Sequence, residues 1–169
     1  PIAQDGVNLL KIVHDLSLED NVIFSHGRYG SSGWSDIAMN ILYNIADVQV
    51  TASSTEGLCL PALHSMSIGI PIIAPNCSAF TELIGEDKLD SLSTKNRGIL
   101  VNIESWQMTQ NEDFRALVNE HDLSEKMKRL YTNEKERIML GDSCFKFSKQ
   151  FTWNNCVNKW NDLFMTIYK

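Results

Sequence analysis

The chain has 169 residues, of which 43% are hydrophobic and 21% charged, with a net charge of −6. That balance is typical of a folded domain with its own core and excludes a disordered or low-complexity chain. The acidic excess argues against nucleic acid and anionic membrane as partners, since both select clustered Lys and Arg.

Cys59, Cys77, Cys144 and Cys156 form no C-x-x-C pair and fit no zinc spacing, so no metal site is expected. No basic start followed by an apolar stretch opens the chain, and its apolar runs are far too short for a bilayer span. Reduced thiols in a cytoplasmic protein are therefore expected, with the periphery of a membrane left open as a location. Pro1 is not an initiator methionine, which leaves room for an upstream segment.

Along the chain, Val7, Leu10, Val13 and Leu16 recur at helical spacing. Asn21–Ser25 reads as a short strand, followed by the glycine- and serine-rich loop Gly27–Gly33. Ser35 is placed to cap a helix running to about Asn44, with Ile37, Ile41 and Leu42 turned inward. Asp47–Ala52 reads as a second strand, ending in the polar turn Ser53–Gly57. A two-turn helix is expected from Pro61, stopping at Gly69. Ile70–Ala74 is almost wholly apolar, as suits a strand covered on both faces.

Thr81–Ile84 reads as a short helix ending at Gly85, Glu86–Arg97 as a surface loop, and Gly98–Val101 as the last strand. Everything beyond reads as helical: Phe114–Asn119, Leu123–Tyr131, Glu134–Gln150 and Asn154–Tyr168. Asp122 with Glu125 and Thr132 with Lys135 mark the expected starts of the second and third. Trp106 and Met108 are expected to cover a loop, and His121 to lie on the surface. Alternating strands and helices predict a single α/β domain over 1–169, a Rossmann-like parallel sheet with helices on both faces. Ligands of such sheets bind at the carboxyl ends of the strands, so the loops after Phe24, Ala52, Ala74 and Val101 should converge on one rim.

The richest stretch runs from Glu56 to Ala74. A helix start offers free amides and a favourable dipole, so the amides of Leu58, Cys59 and Leu60 are placed to meet a diphosphate. Glu56 sits just before, where a carboxylate accepts from sugar hydroxyls, and His64 lies about one turn past Leu60, within reach of a ribose. On spacing alone the stretch serves equally well as an ordinary strand–turn–helix unit, with Ser53, Ser54 and Thr55 as turn formers.

In register, however, Glu56, Gly57, Leu60, Pro61, Met66, Gly69, Pro71, Ile73 and Ala74 resemble the signature of retaining GT-B glycosyltransferases of the large group 1 family. Ala46-Asp47-Val48, Ser78–Gly85, Gly98–Val101 and Phe151-Thr152-Trp153 extend the resemblance over nearly all of residues 7–169. The resemblance implies the C-terminal, donor-binding half of a GT-B fold without its first strand–helix unit. It also implies a terminal helix, about 154–169, that crosses back to an N-terminal domain.

The activity it implies is retaining transfer of a hexosyl-type sugar from a nucleotide-diphosphate donor to a hydroxyl of a glycan, lipid or protein acceptor, with no metal or other cofactor. Glu56 would hold the donor sugar. Gly57, Leu58, Cys59, Leu60, His64, Thr55 and Ser54 would line the donor site, together with His26, Gly27 and Arg28.

Two departures stand out. His64 replaces a glutamate that in the family bonds the ribose, and Cys59 replaces a glycine. A neutral imidazole brings one donor and one acceptor where a carboxylate only accepts. The family's basic pair for the diphosphate lies in a region this sequence lacks, so these residues alone are expected to be inactive. The alternative is a catalytically impaired module that still binds nucleotide sugar. A dinucleotide oxidoreductase fits poorly, because Gly27–Gly33 gives Gly-x-x-Gly-x-x-Gly and not Gly-x-Gly-x-x-Gly.

Overall fold

The apolar stretch before Asn76 becomes the middle strand of a parallel sheet, with every residue from Ile72 to Pro75 buried. In the computed structural model, residues 8–24, 34–85, 96–110 and 112–168 are described. Residues 1–41 and 42–169 form two compact units.

In the first unit, α1 (Leu9–Asp15) begins where the Asn8 side chain accepts the Lys11 N–H at 3.1 Å. Its apolar residues Leu9, Leu10, Ile12 and Leu16 stay exposed, and His14 Nδ1 meets Glu19 at 2.7 Å. The strand expected at Asn21–Ser25 is not formed over 22–24, and Ser25 lies outside the described residues. A strand is held by ladder bonds to a neighbour and by burial of its apolar side chains, yet Ile23 is 96% exposed.

The helix after Ser35 is present as α2 (Asp36–Asn44), with the Ser35 hydroxyl accepting the Ala38 N–H at 3.3 Å. Its expected inward face is not buried: Ile37, Ile41 and Leu42 are all exposed. The spacing was helical, but amphipathic spacing marks a face without supplying a partner for it.

The second unit holds β1 (Gln49–Val50), β2 (Ile72–Pro75) and β3 (Gly98–Val101), parallel and in spatial order β1-β2-β3. β1 is shorter than the expected Asp47–Ala52, with ladder bonds from Gln49 N–H to the Pro71 carbonyl and from Thr51 N–H to the Ile73 carbonyl. Side chains alternate across a strand, and the core divides accordingly. Ile72, Ala74 and Leu100 pack with Ala62, Met66, Phe80, Leu83 and Cys144. Ile73, Ile99 and Val101 pack with Leu130 and Leu140.

The helices between and after these strands are α3 (Leu60–Ser67), α4 (Ala79–Ile84), α5 (Glu120–Thr132), α6 (Glu134–Ser148) and α7 (Trp153–Ile167). α3 ends in a Schellman arrangement: the Gly69 N–H donates to the Met66 carbonyl and the Ile70 N–H to the Ser65 carbonyl, with Gly69 at φ 81°. The last carbonyls of α4 are met by Arg97, whose guanidinium donates to Glu82 and Leu83 and lies 3.8 Å over the Phe147 ring. Burial pushes the Cys144 thiol up to about 12, so it serves as a neutral core residue.

The sequence beyond Val101 departs most from expectation. Gly98–Val101 is not the last strand. β4 (Ile103–Met108) and β5 (Phe114–Val118) form an antiparallel hairpin, with Trp106 opposite Ala116 and Met108 opposite Phe114. The segment read as the helix Phe114–Asn119 is thus a strand, and Trp106 and Met108 are strand residues. Phe114, Leu117 and Val118 fall at i, i+3 and i+4, a helical spacing that a strand also tolerates when one face is exposed.

The caps also move. Asn119, not Asp122, caps α5 by accepting the Asp122 N–H at 2.8 Å, and Asn133, not Thr132, caps α6 by accepting from Glu136 at 3.1 Å. Both fit the preference for a short polar side chain just before the first turn.

Candidate donor site at the carboxyl rim

Parallel strands end on the same side, so the loops after β1, β2 and β3 meet at one rim. The Asn76 N–H donates to the Val101 carbonyl at 2.8 Å, and the Ala79 N–H to the Glu56 carbonyl at 3.4 Å. The expected convergence therefore holds for the loops after Ala52, Ala74 and Val101. The loop after Phe24, with His26, Gly27 and Arg28, lies outside the described residues.

Glu56 is half-buried and held from three sides. The Ser53 hydroxyl donates to its carboxylate at 2.9 Å, its own N–H donates to the Ser78 hydroxyl at 3.2 Å, and its carbonyl accepts from Ala79. Ser78 is at φ 48° and ψ −142°, a backbone region costly for a residue with a Cβ, of the kind that collects at functional sites. Neither Ser53 nor Ser78 was identified from sequence as support for Glu56. The small-residue turn at Ser78-Ala79 was visible, but a positive φ leaves no mark in composition.

After Glu56, a Cβ built on Gly57 would meet nothing within 4 Å, so the backbone there faces open space. Cys59 is buried at φ 60° and ψ 75°, the left-handed conformation that a glycine enters freely, and so takes up the geometry a glycine would. Burial raises the Cys59 thiol above its ordinary value, and the neighbouring Glu56 charge adds to the effect, which keeps it protonated and unsuited to act as a nucleophile.

Leu60 opens α3 and Pro61 follows within its first turn. Among the described residues, the amides of Leu58, Cys59 and Leu60 have no hydrogen-bond partner. Thr55, Leu58 and Leu60 are exposed. His64 is exposed on α3, and its ring meets the Tyr43 ring edge-on at 5.7 Å.

Ser54 faces another neighbour: its carbonyl accepts the Ala116 N–H at 3.1 Å, which ties the Glu56 loop to the β4–β5 hairpin. A cleft of about 580 Å³ lies between Ala52 and Ser54, the two hairpin strands and the start of α5. His121 is exposed, as expected of a surface residue, and lines it. Among the described residues no group of three or more His, Cys, Asp or Glu is placed to hold a metal ion.

A family model for the glycosyl transferases group 1 matches residues 5–137, well over half of the chain. The chain belongs to this glycosyltransferase family. It is 24% identical over 149 residues to the O-antigen chain mannosyltransferase B of Escherichia coli, covering 83% of this chain and 33% of that protein.

Its fold superposes on sucrose-phosphate synthase from Thermosynechococcus elongatus with a TM-score of 0.69 at 17% identity, covering 95% of this chain and 33% of that one. It also superposes on the C-terminal domain of a glycosyl transferase group 1 family protein from Francisella tularensis, with a TM-score of 0.59 at 23% identity, covering 85% and 60%. The Rossmann-like domain of this chain thus has the fold of the C-terminal half of a GT-B protein. The chain spans a third or less of the length of the curated relatives it matches.

Proposed function

We propose that this domain binds the nucleotide-diphosphate donor of a retaining, hexosyl-type glycosyltransferase and that Glu56 holds the donor sugar. The observation that carries the reading is the junction of a fixed carboxylate with three unpartnered amides at a helix start. The amides and the helix dipole favour the negative charge that grows on the diphosphate as the sugar leaves. The bond from the anomeric carbon to the diphosphate oxygen breaks while a bond to the acceptor oxygen forms. The acceptor proton is taken by a group outside this chain.

Because Cys59 keeps a glycine-like backbone, the loop retains the shape the signature requires, which favours an active transferase over an impaired binding module. We also propose that donor binding needs no divalent cation, since the chain has no Asp-x-Asp pair and the helix start supplies positive potential. We further propose a cytoplasmic location, with the periphery of a membrane left open; among the described residues no helix is long and apolar enough to cross a membrane.

The apolar stripe Trp153, Val157, Trp160, Phe164 and Ile167 on α7 is exposed, and we propose that it packs against an N-terminal domain of the longer protein. A thermal-shift screen of full-length protein against UDP-, GDP- and ADP-sugars tests the donor reading. One donor should raise Tm equally with and without chelator. No shift with any donor overturns donor binding, and a shift lost in chelator and restored by manganese overturns metal independence.

A further inference from the structure

The β4–β5 hairpin leaves one edge open, and its hydrogen-bond pattern defines what that edge offers. Pairs across an antiparallel ladder alternate between bonded and unbonded. The Thr109 N–H donates to the Asp113 carbonyl at 2.8 Å, so Gln107 with Arg115 is also a bonded pair. Trp106 with Ala116 and Met108 with Phe114 are then the unbonded ones. Ala116 confirms the sense, because its N–H leaves the hairpin for the Ser54 carbonyl. The N–H and C=O groups of Trp106 and Met108 therefore point away from β5. Among the described residues no strand pairs with that side of β4.

Sheets ordinarily guard such an edge with charge or proline. Residues 105–110 carry neither, and Trp106, Met108 and Phe114 stand exposed. These three share one face, since Trp106 and Met108 are two apart in the strand and Phe114 lies opposite Met108. We propose that the outer edge of β4 pairs antiparallel with the same edge of a second copy, about a two-fold axis at Gln107, to give one four-stranded sheet. Trp106 then exchanges both backbone bonds with Met108 of the second copy, and the thioether lies against the indole, a favourable contact. Ser105 meets Thr109, Gln107 meets its counterpart and Glu104 meets Gln110, so no like charges are opposed although the chain carries −6. The two-fold closes the contact, leaving no further edge to add copies. A bilayer fits this edge poorly. Lipid would leave the free N–H and C=O groups unpaired, and Glu104, Glu112 and Asp113 bracket the apolar residues in sequence.

Sedimentation velocity of full-length protein, over roughly 1 to 100 μM, should show a dimer whose share rises with concentration. Met108→Pro deletes one outward N–H and leaves the bonds of Gln107 and Thr109 to β5 in place, so it should stay monomeric across that range at an unchanged Tm. A covalent trap tests the register without relying on that variant. An unbonded pair brings Cα atoms to about 4.5 Å, within disulfide reach. Gln107→Cys in a Cys156→Ser background should therefore give a cross-linked dimer under mild oxidation. Ser105→Cys, whose two copies would stand about 14 Å apart, should not.

The proposal fails if full-length protein is monomeric throughout, whether Trp106 is then covered by the rest of the chain or inserts into phosphatidylcholine vesicles. It also fails if the dimer persists undiminished in Met108→Pro, or if Ser105→Cys cross-links as fully as Gln107→Cys.

Discussion

Cys59 and His64 are two positions where the Glu56–Ala74 stretch departs from the signature it resembles, and the structure treats them differently. At Cys59 the backbone stays left-handed although a side chain is present, at a cost of about 1–2 kcal/mol. The loop therefore keeps its shape and the cost falls on stability. At His64 the helix is unchanged and only the functional group differs, with its ring against Tyr43. If the imidazole takes the ribose-binding place, His64→Ala should weaken donor binding by about 1 kcal/mol, one neutral hydrogen bond. His64→Glu should bind as well as the wild type or better. Equal affinity of all three forms in isothermal titration would make His64 a bystander.

Among the elements, α6 packs closely on the turn that ends α3. A Cβ built on Gly141 of α6 would stand 2.1 Å from the Gly69 carbonyl oxygen, a backbone atom that cannot swing away. Glycine to alanine within a helix ordinarily stabilises by up to about 1 kcal/mol. Here overpacking, at about 1–3 kcal/mol, should win, so Gly141→Ala should lower the denaturant midpoint. A raised midpoint would show that the two helices separate easily.

The junction of β3 with α5 is polar instead. Asp122 accepts the Asn102 N–H and the Lys126 ammonium, and Lys126 also reaches the Leu100 carbonyl. Burial alone would raise the Asp122 pKa, but the bonds from Lys126 and Asn102 outweigh it and leave it lowered. A lowered folded value stabilises fully above the unfolded carboxyl pKa of about 3.9, and the gain is lost as pH falls through the folded value. The Tm difference between wild type and Asp122→Asn should therefore stay level from neutral pH down to about 5 and shrink below about 4. A difference that grows in acid would contradict the assignment.

At the scale of the molecule, the described parallel sheet and its two cores lie within the second unit, yet α7 buries none of its described residues. An apolar helical stripe left in water is unusual unless something covers it. If an N-terminal domain does so, Trp160 should emit at shorter wavelength in full-length protein than in a chain ending within this domain's own limits. Comparing both proteins with Trp160→Phe isolates the signal. An unchanged Trp160 contribution would remove the packing proposal and leave the donor site as it stands.

Much of this was readable in one dimension. The buried strand at Ile72–Pro75, the helix at Leu60–Ser67 with Gly69 behind it, the cap at Ser35, and the rim position of Glu56 all follow from local rules. Apolar continuity, proline and glycine geometry and short polar caps act within a few residues, and sequence displays them directly.

Tertiary structure decided what depends on partners distant in the chain. The β4–β5 hairpin exists because β5 has β4 on one edge and Ser54 on the other, and neither pairing is written in the helix-like spacing of Phe114, Leu117 and Val118. Ser78 supports Glu56 across 22 residues of sequence, in a backbone state that composition does not encode. The exposure of Ile37 and Ile41 likewise reflects which surfaces meet, because periodicity defines an apolar face and only packing supplies its partner.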